Sequence, residues 1–474
     1  MISRFFFILF FSVLSFAVTS QIRFEAAVQN LLQKPYYKNA SVGMHVVDLD
    51  SGDELYNLNA DKVLIPASTM KLVTSASAFE LLGADYRFKT QINYRGKILK
   101  NGDLEGDLVL VGGADPALGS EYFQDYYIDF LKNWAKKIRA QGIQKITGDL
   151  ILDGSIFNSE RVPDTWIWGD IGNYYGAGAN AFTVNDNMFR ITFSSPKKVG
   201  KPTKVIATYP KLEGLQIKNE VVSADNNVDN AYVFGSPFDK TRIIRGTIPR
   251  DRIAFTIKAA IHQPEEILAQ EFLKALNDEG IFVMGNISFD SVNKKDLKTI
   301  YIQESPTLAE IGEVLNHESV NLFAEHFLNQ IAVEKMGTGN REEAIQLIKE
   351  FWDSKGISIE YLFMEDGSGL SHFNAVSPAF FTQLLKFMSN NEAFVNTLPT
   401  AGEGTLNRFS QNLFPGETLL AKSGSMPRVR CYSGYLKTEK GKTLVFSFMF
   451  NHFSGSHSAL IDEIQQLLTK LKTL

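Results

Sequence analysis

From Phe24 to Leu32 apolar residues recur at helical spacing, and beyond them the pattern changes to that of strands. The stretch "SVGMHVVDLDSGDELYNLN" predicts two strands around the turn "DSGD". A helix follows in "PASTMKLVTSASAFELLGA", where Glu80 is the one charge in the thirteen residues after Lys71. At the far end, "TLLAKSG", "RCYSGYLK" and "KTLVFSFMFN" predict three strands, the last two joined by the polar turn "TEKGK". A closing helix, "SALIDEIQQLLTKLKTL", sets apolar residues at Leu460, Ile461, Ile464, Leu467, Leu468 and Leu471. Two early strands, three late ones and a helix from each end suit a single sheet with helices on one face. That arrangement joins the termini and makes the middle of the chain an insertion.

The middle has a different texture. Between about 85 and 302 it is strand-rich, through "FKTQINYRG", "GDLVLVGG", "ITGDLILDGS", "NMFRITFSS", "TKVIATYP", "FTIKAAI" and "NISFDS". Helices are expected there chiefly over Tyr122–Ala140 and Pro264–Glu279. Helical spacing returns after Thr307, in "TLAEIGEVLNHESVNLFAEHFLNQIAV" and "EEAIQLIKEFWDSKG". The expected fold class is α/β of the α+β kind: residues 21–85 and 303–474 form one domain, and 86–302 a strand-rich insertion of two nested accessory domains.

Composition changes this picture little. The 474 residues are 44% apolar, enough for a large core, and a net charge of -5 gives no electrostatic reason to expect nucleic acid. The N-terminus adds more. In "MISRFFFILFFSVLSFAVTSQ", Arg4 precedes an apolar run and small residues follow, so residues 1–20 read as a cleaved secretory signal. The run of about 14 apolar residues is short of the roughly 20 that span a bilayer. No later segment is long and apolar enough either, so the mature chain is expected to be soluble in the periplasm or cell envelope. Cys431 is the only cysteine, which excludes an intramolecular disulfide and reads as a small buried hydrophobe.

The candidate chemistry sits in three places. Ser68 and Lys71, three apart at a predicted helix start, share a helix face. An alcohol becomes a nucleophile when a base takes its proton, and burial disfavours the charged form of lysine and makes it such a base. The same spacing recurs at Ser194/Lys197, Ser195/Lys198 and Ser291/Lys294, but in polar, turn-like sequence. In "NHESVNLFAEHFL", Ser319 offers a hydroxyl for proton relay and Asn321 an amide to hold a peptide bond. In "LLAKSGSM", Lys422 and Ser423 suit a terminal carboxylate, while Gly424 lets a substrate backbone come close, as on an edge strand that accepts an extended peptide. Elsewhere, "VGGADP" lacks the Gly-Lys-Ser/Thr of a phosphate loop and reads as a turn. The seven histidines show no metal-ligand spacing, and His317 and His326 are expected on a helix surface. No metal or cofactor is expected.

The order Ser-x-x-Lys, Ser-x-Asn, Lys-Ser/Thr-Gly is that of penicillin-binding proteins and serine β-lactamases. Over nearly all of its mature length the chain resembles a class C low-molecular-mass penicillin-binding protein, of the D-alanyl-D-alanine carboxypeptidase/endopeptidase family. Ser319 follows Ser68 by 251 residues, as a long insertion requires, and "GDLVLVGGADPAL", "GDLILDGSIF", "YYGAGANAFTVNDN", "EDGSGLSHFNAVSP", "GEGTLNRF" and "RCYSGYL" also match. The resemblance implies a transpeptidase-like catalytic domain, an antiparallel sheet flanked by helices, and acyl transfer to Ser68 with Lys71 as base. It further implies that Ser319 passes a proton to the leaving amine, that Asn321 orients the substrate amide and Lys71, and that Lys422 and Ser423 hold the carboxylate. Backbone N–H groups of Ser68 and Ser425 would form the oxyanion hole. Peptidoglycan stem peptides are the implied substrates and β-lactams the implied inhibitors. Two positions depart from the pattern: Val320 stands where Asp is common, and His372 where a basic residue often helps hold the stem-peptide side chain. Asp153 matches an acidic residue offered to the substrate's side-chain amine, and a plain turn aspartate is the competing reading. A serine β-lactamase and a non-catalytic wall-binding protein remain the alternatives.

Overall fold

The computed structural model describes residues 21–474; the expected secretory signal lies outside them. The chain divides into two compact units. The first takes the chain up to Ala84, Gly312–Ser319 and Ile345–Leu474, and the second takes Asp85–Ile311 and Val320–Ala344.

The first unit is built on a five-stranded antiparallel sheet in the order Leu419–Met426, Val429–Lys437, Thr443–Asn451, Ser41–Asp48, Glu54–Leu58. Its two early and three late strands are those read from the sequence. Thr443–Asn451 runs "TLVFSFMFN" without strict alternation because it is central and covered on both faces, where each side chain needs an apolar neighbour. One face carries Met44, Val46, Phe446, Phe448 and Phe450. It packs on Phe24, Val28 and Leu31 of the helix over 21–33, and on Leu460, Ile464 and Leu468 of the closing helix His457–Lys472. All six apolar residues predicted for that helix are buried. Each such side chain contributes roughly 1.5–3 kcal/mol, against the tenths that separate one ordinary helix former from another. Packing, not propensity, therefore holds the helix. Against the opposite face lies helix Pro378–Met388, tied to the sheet by Tyr435 Oη donating to Leu385 O at 2.6 Å.

Helix Met70–Leu81 is buried on every side from Met70 to Phe79, as an apolar helix must be. Its interior hydroxyls are absorbed locally: Ser75 donates to Lys71 O and Ser77 to Val73 O, while Trp352 Nε1 donates to Ser77 Oγ at 2.8 Å.

The second unit holds a seven-stranded sheet built around the hairpin Lys89–Ile98 and Asp103–Val111. Two three-stranded sheets, centred on Met188–Ser195 and Thr241–Pro249, close on a core of their own made by Phe189, Ile191, Phe193, Val233 and Ile244. Of the expected helix over Tyr122–Ala140, only Phe130–Ala140 is helical; Asp129 at φ 52 turns the chain into it.

Helix Asn321–Met336 belongs to the second unit, although the sequence pattern groups it with the chain that follows. Its aromatic residues explain this: Phe323 meets Tyr122 and Phe123, and Phe327 stacks on Phe88. The same burial corrects the expectation for His326, which is fully enclosed and not on a surface. One ring nitrogen faces Ala114 O at 2.8 Å and so must carry the proton, and the other accepts from Thr183 Oγ1 at 2.8 Å. Burial pushes its pKa down to about 3, so the ring is neutral. His317, by contrast, is half-buried. Among the described residues no helix is long and apolar enough to cross a membrane.

Candidate active site

Ser68 lies in a short 3-10 turn, Ala67–Thr69, that leads into helix Met70–Leu81. Ala67 sits in the left-handed region at φ 47, a conformation that costs a non-glycine residue roughly 1–2 kcal/mol. Two glycines accommodate this turn. A Cβ on Gly369 (φ 81) would stand 1.9 Å from Ala67 O, and one on Gly424 would stand 2.4 Å from Pro66 O and 3.2 Å from the amide nitrogen of Ser68. The strand carrying Gly424 therefore lies directly against the backbone of the serine turn.

One turn on, Lys71 is fully buried, and its Nζ donates to Ser68 Oγ at 3.0 Å and to Ser368 O at 2.7 Å. The second contact was not legible in the sequence. It depends on the loop "EDGSGLSHFNAVSP", which is knotted around Asp366. One oxygen of that carboxylate accepts from Gly369 N and Asn374 Nδ2, and the other from Ser371 N. Thr74 Oγ1 holds the same loop by donating to Gly367 O at 2.6 Å. Carbonyl contacts of this kind fix the lysine's N–H bonds, and with them the direction in which its nitrogen faces Ser68.

Lys422 is the second buried lysine. Its Nζ donates to Ser319 Oγ at 2.9 Å and to Ser423 O at 3.0 Å, and Ser319 itself is held at φ 59. Among the described residues no carboxylate forms an ion pair with it. Burial, then the positive charges of Lys71 and Arg430, pull its pKa well below the usual lysine range. Arg430 went unnoticed in the sequence; its Nε donates to Tyr432 Oη at 2.8 Å. The result is a buried, electropositive environment suited to an anion. Leu419–Met426 is an edge strand of the sheet, bridged on its outer side at Leu420 by Thr400. Along it Ser423 and Gly424 are buried and Ser425 is exposed. Cys431, opposite Gly424, is fully buried, and its thiol donates to Ile65 O at 3.5 Å.

Three candidates remain: Asn321, His372 and Asp153. Asn321 opens its helix in the second unit, where Nδ2 donates to Tyr175 O at 2.8 Å. His372 is exposed on the loop that contains Ser368. Asp153, also in the second unit, is fully buried, with its carboxylate accepting from Ser155 N at 2.9 Å and Val292 N at 3.2 Å. Those bonds are those of a turn aspartate. Among the described residues no group of three or more His, Cys, Asp or Glu could hold a metal ion.

Known proteins resemble this chain over most of its length. The family model described as D-Ala-D-Ala carboxypeptidase 3 (S13) matches residues 24–471. The chain is 30% identical over 447 residues to a D-alanyl-D-alanine carboxypeptidase of Actinomadura sp. (strain R39), covering 90% of this chain and 81% of the relative. It is 25% identical over 439 residues to D-alanyl-D-alanine carboxypeptidase DacB of Haemophilus influenzae, covering 90% and 88%. The crystal structure of penicillin binding protein 4 (dacB) from H. influenzae superposes with a TM-score of 0.82 at 24% identity, over 94% of this chain and 99% of that one. Its complex with a novel β-lactam gives 0.76 at 22% identity, over 94% and 98%. The chain belongs to the D-Ala-D-Ala carboxypeptidase 3 (S13) family.

Proposed function

We propose that this enzyme cleaves D-alanyl-D-alanine bonds of peptidoglycan stem peptides through an acyl-enzyme on Ser68, as a carboxypeptidase, a D,D-endopeptidase or both. The observation that carries the reading is the 3.0 Å contact between the buried Lys71 Nζ and Ser68 Oγ. Once it has given up its own proton, Lys71 takes the hydroxyl proton as Oγ attacks the scissile carbonyl. The Ser68 and Ser425 amides receive the oxyanion, and Gly424 keeps that strand close to the serine turn.

Ser319 gives its proton to the leaving amine as the C–N bond breaks, and the proton that Lys71 took from Ser68 replaces it, so Lys422 stays charged and keeps donating to the Ser319 oxygen. Lys422 and Ser423 hold the substrate's terminal carboxylate, where an anion relieves the unpaired buried ammonium. Asn321 orients the substrate amide, a role that rests on its place two residues after Ser319. Water then hydrolyses the ester on Ser68, and β-lactams leave a slower-clearing adduct there. His372 is an exposed side chain suited to contact the stem peptide, whereas Asp153 is fully buried and each of its oxygens already accepts a backbone N–H. A leader at residues 1–20 would carry the chain across the inner membrane to the periplasm.

The test is to incubate the mature enzyme with labelled penicillin and map the modified peptide. Label on Ser68, lost in Ser68→Ala, is the expected result, together with release of D-alanine from soluble stem peptides. Label on any other residue overturns the assignment, and rapid turnover of a chromogenic cephalosporin would favour a β-lactamase instead.

A further inference from the structure

The second unit contains a cleft of about 350 Å³ that the reaction above does not use. Its polar floor is rigid. Arg161 makes a two-point ion pair with Glu265, in which Nη2 bonds Oε1 and Nη1 lies 3.4 Å from Oε2, and Nη1 also donates to His262 O at 3.2 Å. Asn180 Nδ2 donates to Glu265 Oε2 at 2.9 Å, and Asn180 Oδ1 accepts from Phe182 N at 2.8 Å. Phe238 and Phe289 line the same cleft and are 68% and 47% exposed, large aromatic areas left in water.

Two features select the chemistry of a ligand. Because Glu265 already neutralises Arg161, the floor offers planar hydrogen-bonding groups but no free cation for a carboxylate. Exposed Asp290 on the lining adds negative charge, which further disfavours an anionic peptide. Aromatic faces beside fixed guanidinium, carboxylate and amide groups suit a neutral ring with an apolar face and a hydroxyl or acetamido edge. We infer that this cleft binds an N-acetylated sugar of the peptidoglycan glycan strand, so that the enzyme grips the carrier of its peptide substrate at a second site. The identity of that carrier rests on the proposed function; the neutral-sugar chemistry rests on the cleft.

The test compares the intact mature enzyme with Phe238→Ala/Phe289→Ala, two exposed positions whose truncation leaves no buried cavity. The probes are glycan strands stripped of peptides by an amidase, with the freed lactyl carboxylates capped as amides so that the strands are neutral, and a soluble D-Ala-D-Ala peptide as substrate. The expected result is saturable binding of the bare strands, weakened about tenfold or more in the double variant, with kcat/KM on the soluble peptide unchanged. Absence of strand binding by the unaltered enzyme, or equal binding by the variant, overturns the inference. So does a variant that loses soluble-peptide turnover in parallel, or one whose binding defect appears only with peptide-bearing strands. Failure of the unaltered enzyme to cleave the soluble peptide would count against the proposed function and leave the bare-strand comparison readable.

Discussion

Substituting Gly369 by alanine tests how the serine turn is held. Two costs add at this position. Its φ of 81 lies in the left-handed region, worth roughly 1–2 kcal/mol for a residue with a Cβ. The new Cβ would also stand 1.9 Å from Ala67 O, so reaching ordinary contact at 3.4 Å requires a retreat of about 1.5 Å by one backbone or the other. Overpacking of this kind costs roughly 1–3 kcal/mol, giving a total of about 2–5 kcal/mol. Ala67 precedes Ser68 and Ser368 O holds Lys71, so the retreat separates Ser68 Oγ from Lys71 Nζ, the proposed nucleophile and base. A misplacement of about 1 Å is worth on the order of a hundredfold in rate. The second-order rate of acylation by a fluorescent penicillin, read beside a thermal melt, should fall by that factor. Gly83→Ala is the control: its φ is 94 but nothing lies within 4 Å of the added Cβ, so it should cost about 1 kcal/mol and acylate normally. A folded Gly369→Ala enzyme that acylates within threefold of the unaltered one would refute the account.

Lys422→Met should give a protein that is inactive on D-Ala-D-Ala peptides yet no less stable at neutral pH, since it removes an unpaired buried ammonium. The unfolded chain keeps that proton up to the ordinary lysine range while the folded chain loses it earlier, so stability rises with pH between the two values. Urea unfolding at pH 6 and pH 9 should show a larger rise in the unaltered enzyme than in Lys422→Met; equal rises would refute the assignment. His326 works in the opposite pH range. Its folded pKa of about 3 lies below the usual 6.5, so the stability it contributes is complete above 6.5 and drains away as pH falls toward 3. His326→Asn should therefore be less stable at pH 7, and its deficit should shrink by about 1.4 kcal/mol per pH unit in that window; a constant deficit would show that the ring is already charged.

Much of the reaction centre was written in local spacing. Ser68 and Lys71 are one helical turn apart, and a helix brings such residues together whatever surrounds it. The five strands of the first unit were readable for a similar reason: runs such as "TLVFSFMFN" suit only a covered strand, and the six apolar positions of the closing helix mark one buried face. Tertiary structure alone decided what depends on distant chain segments meeting. Lys422 reaches Ser319 across 103 residues, and Ser368 O reaches Lys71 across 297. No periodicity encodes either approach. The left-handed Ala67 is tolerated because Gly369, remote in sequence, leaves room for its carbonyl. The same holds where the expectation for His326 failed. Acidic neighbours mark a surface in sequence, but aromatic packing carries the whole helix inward, and one carbonyl and one hydroxyl satisfy the ring there. Spacing along a chain determines which groups share a turn, whereas burial, and with it the acidity of each group, is settled by whatever the fold packs against that turn.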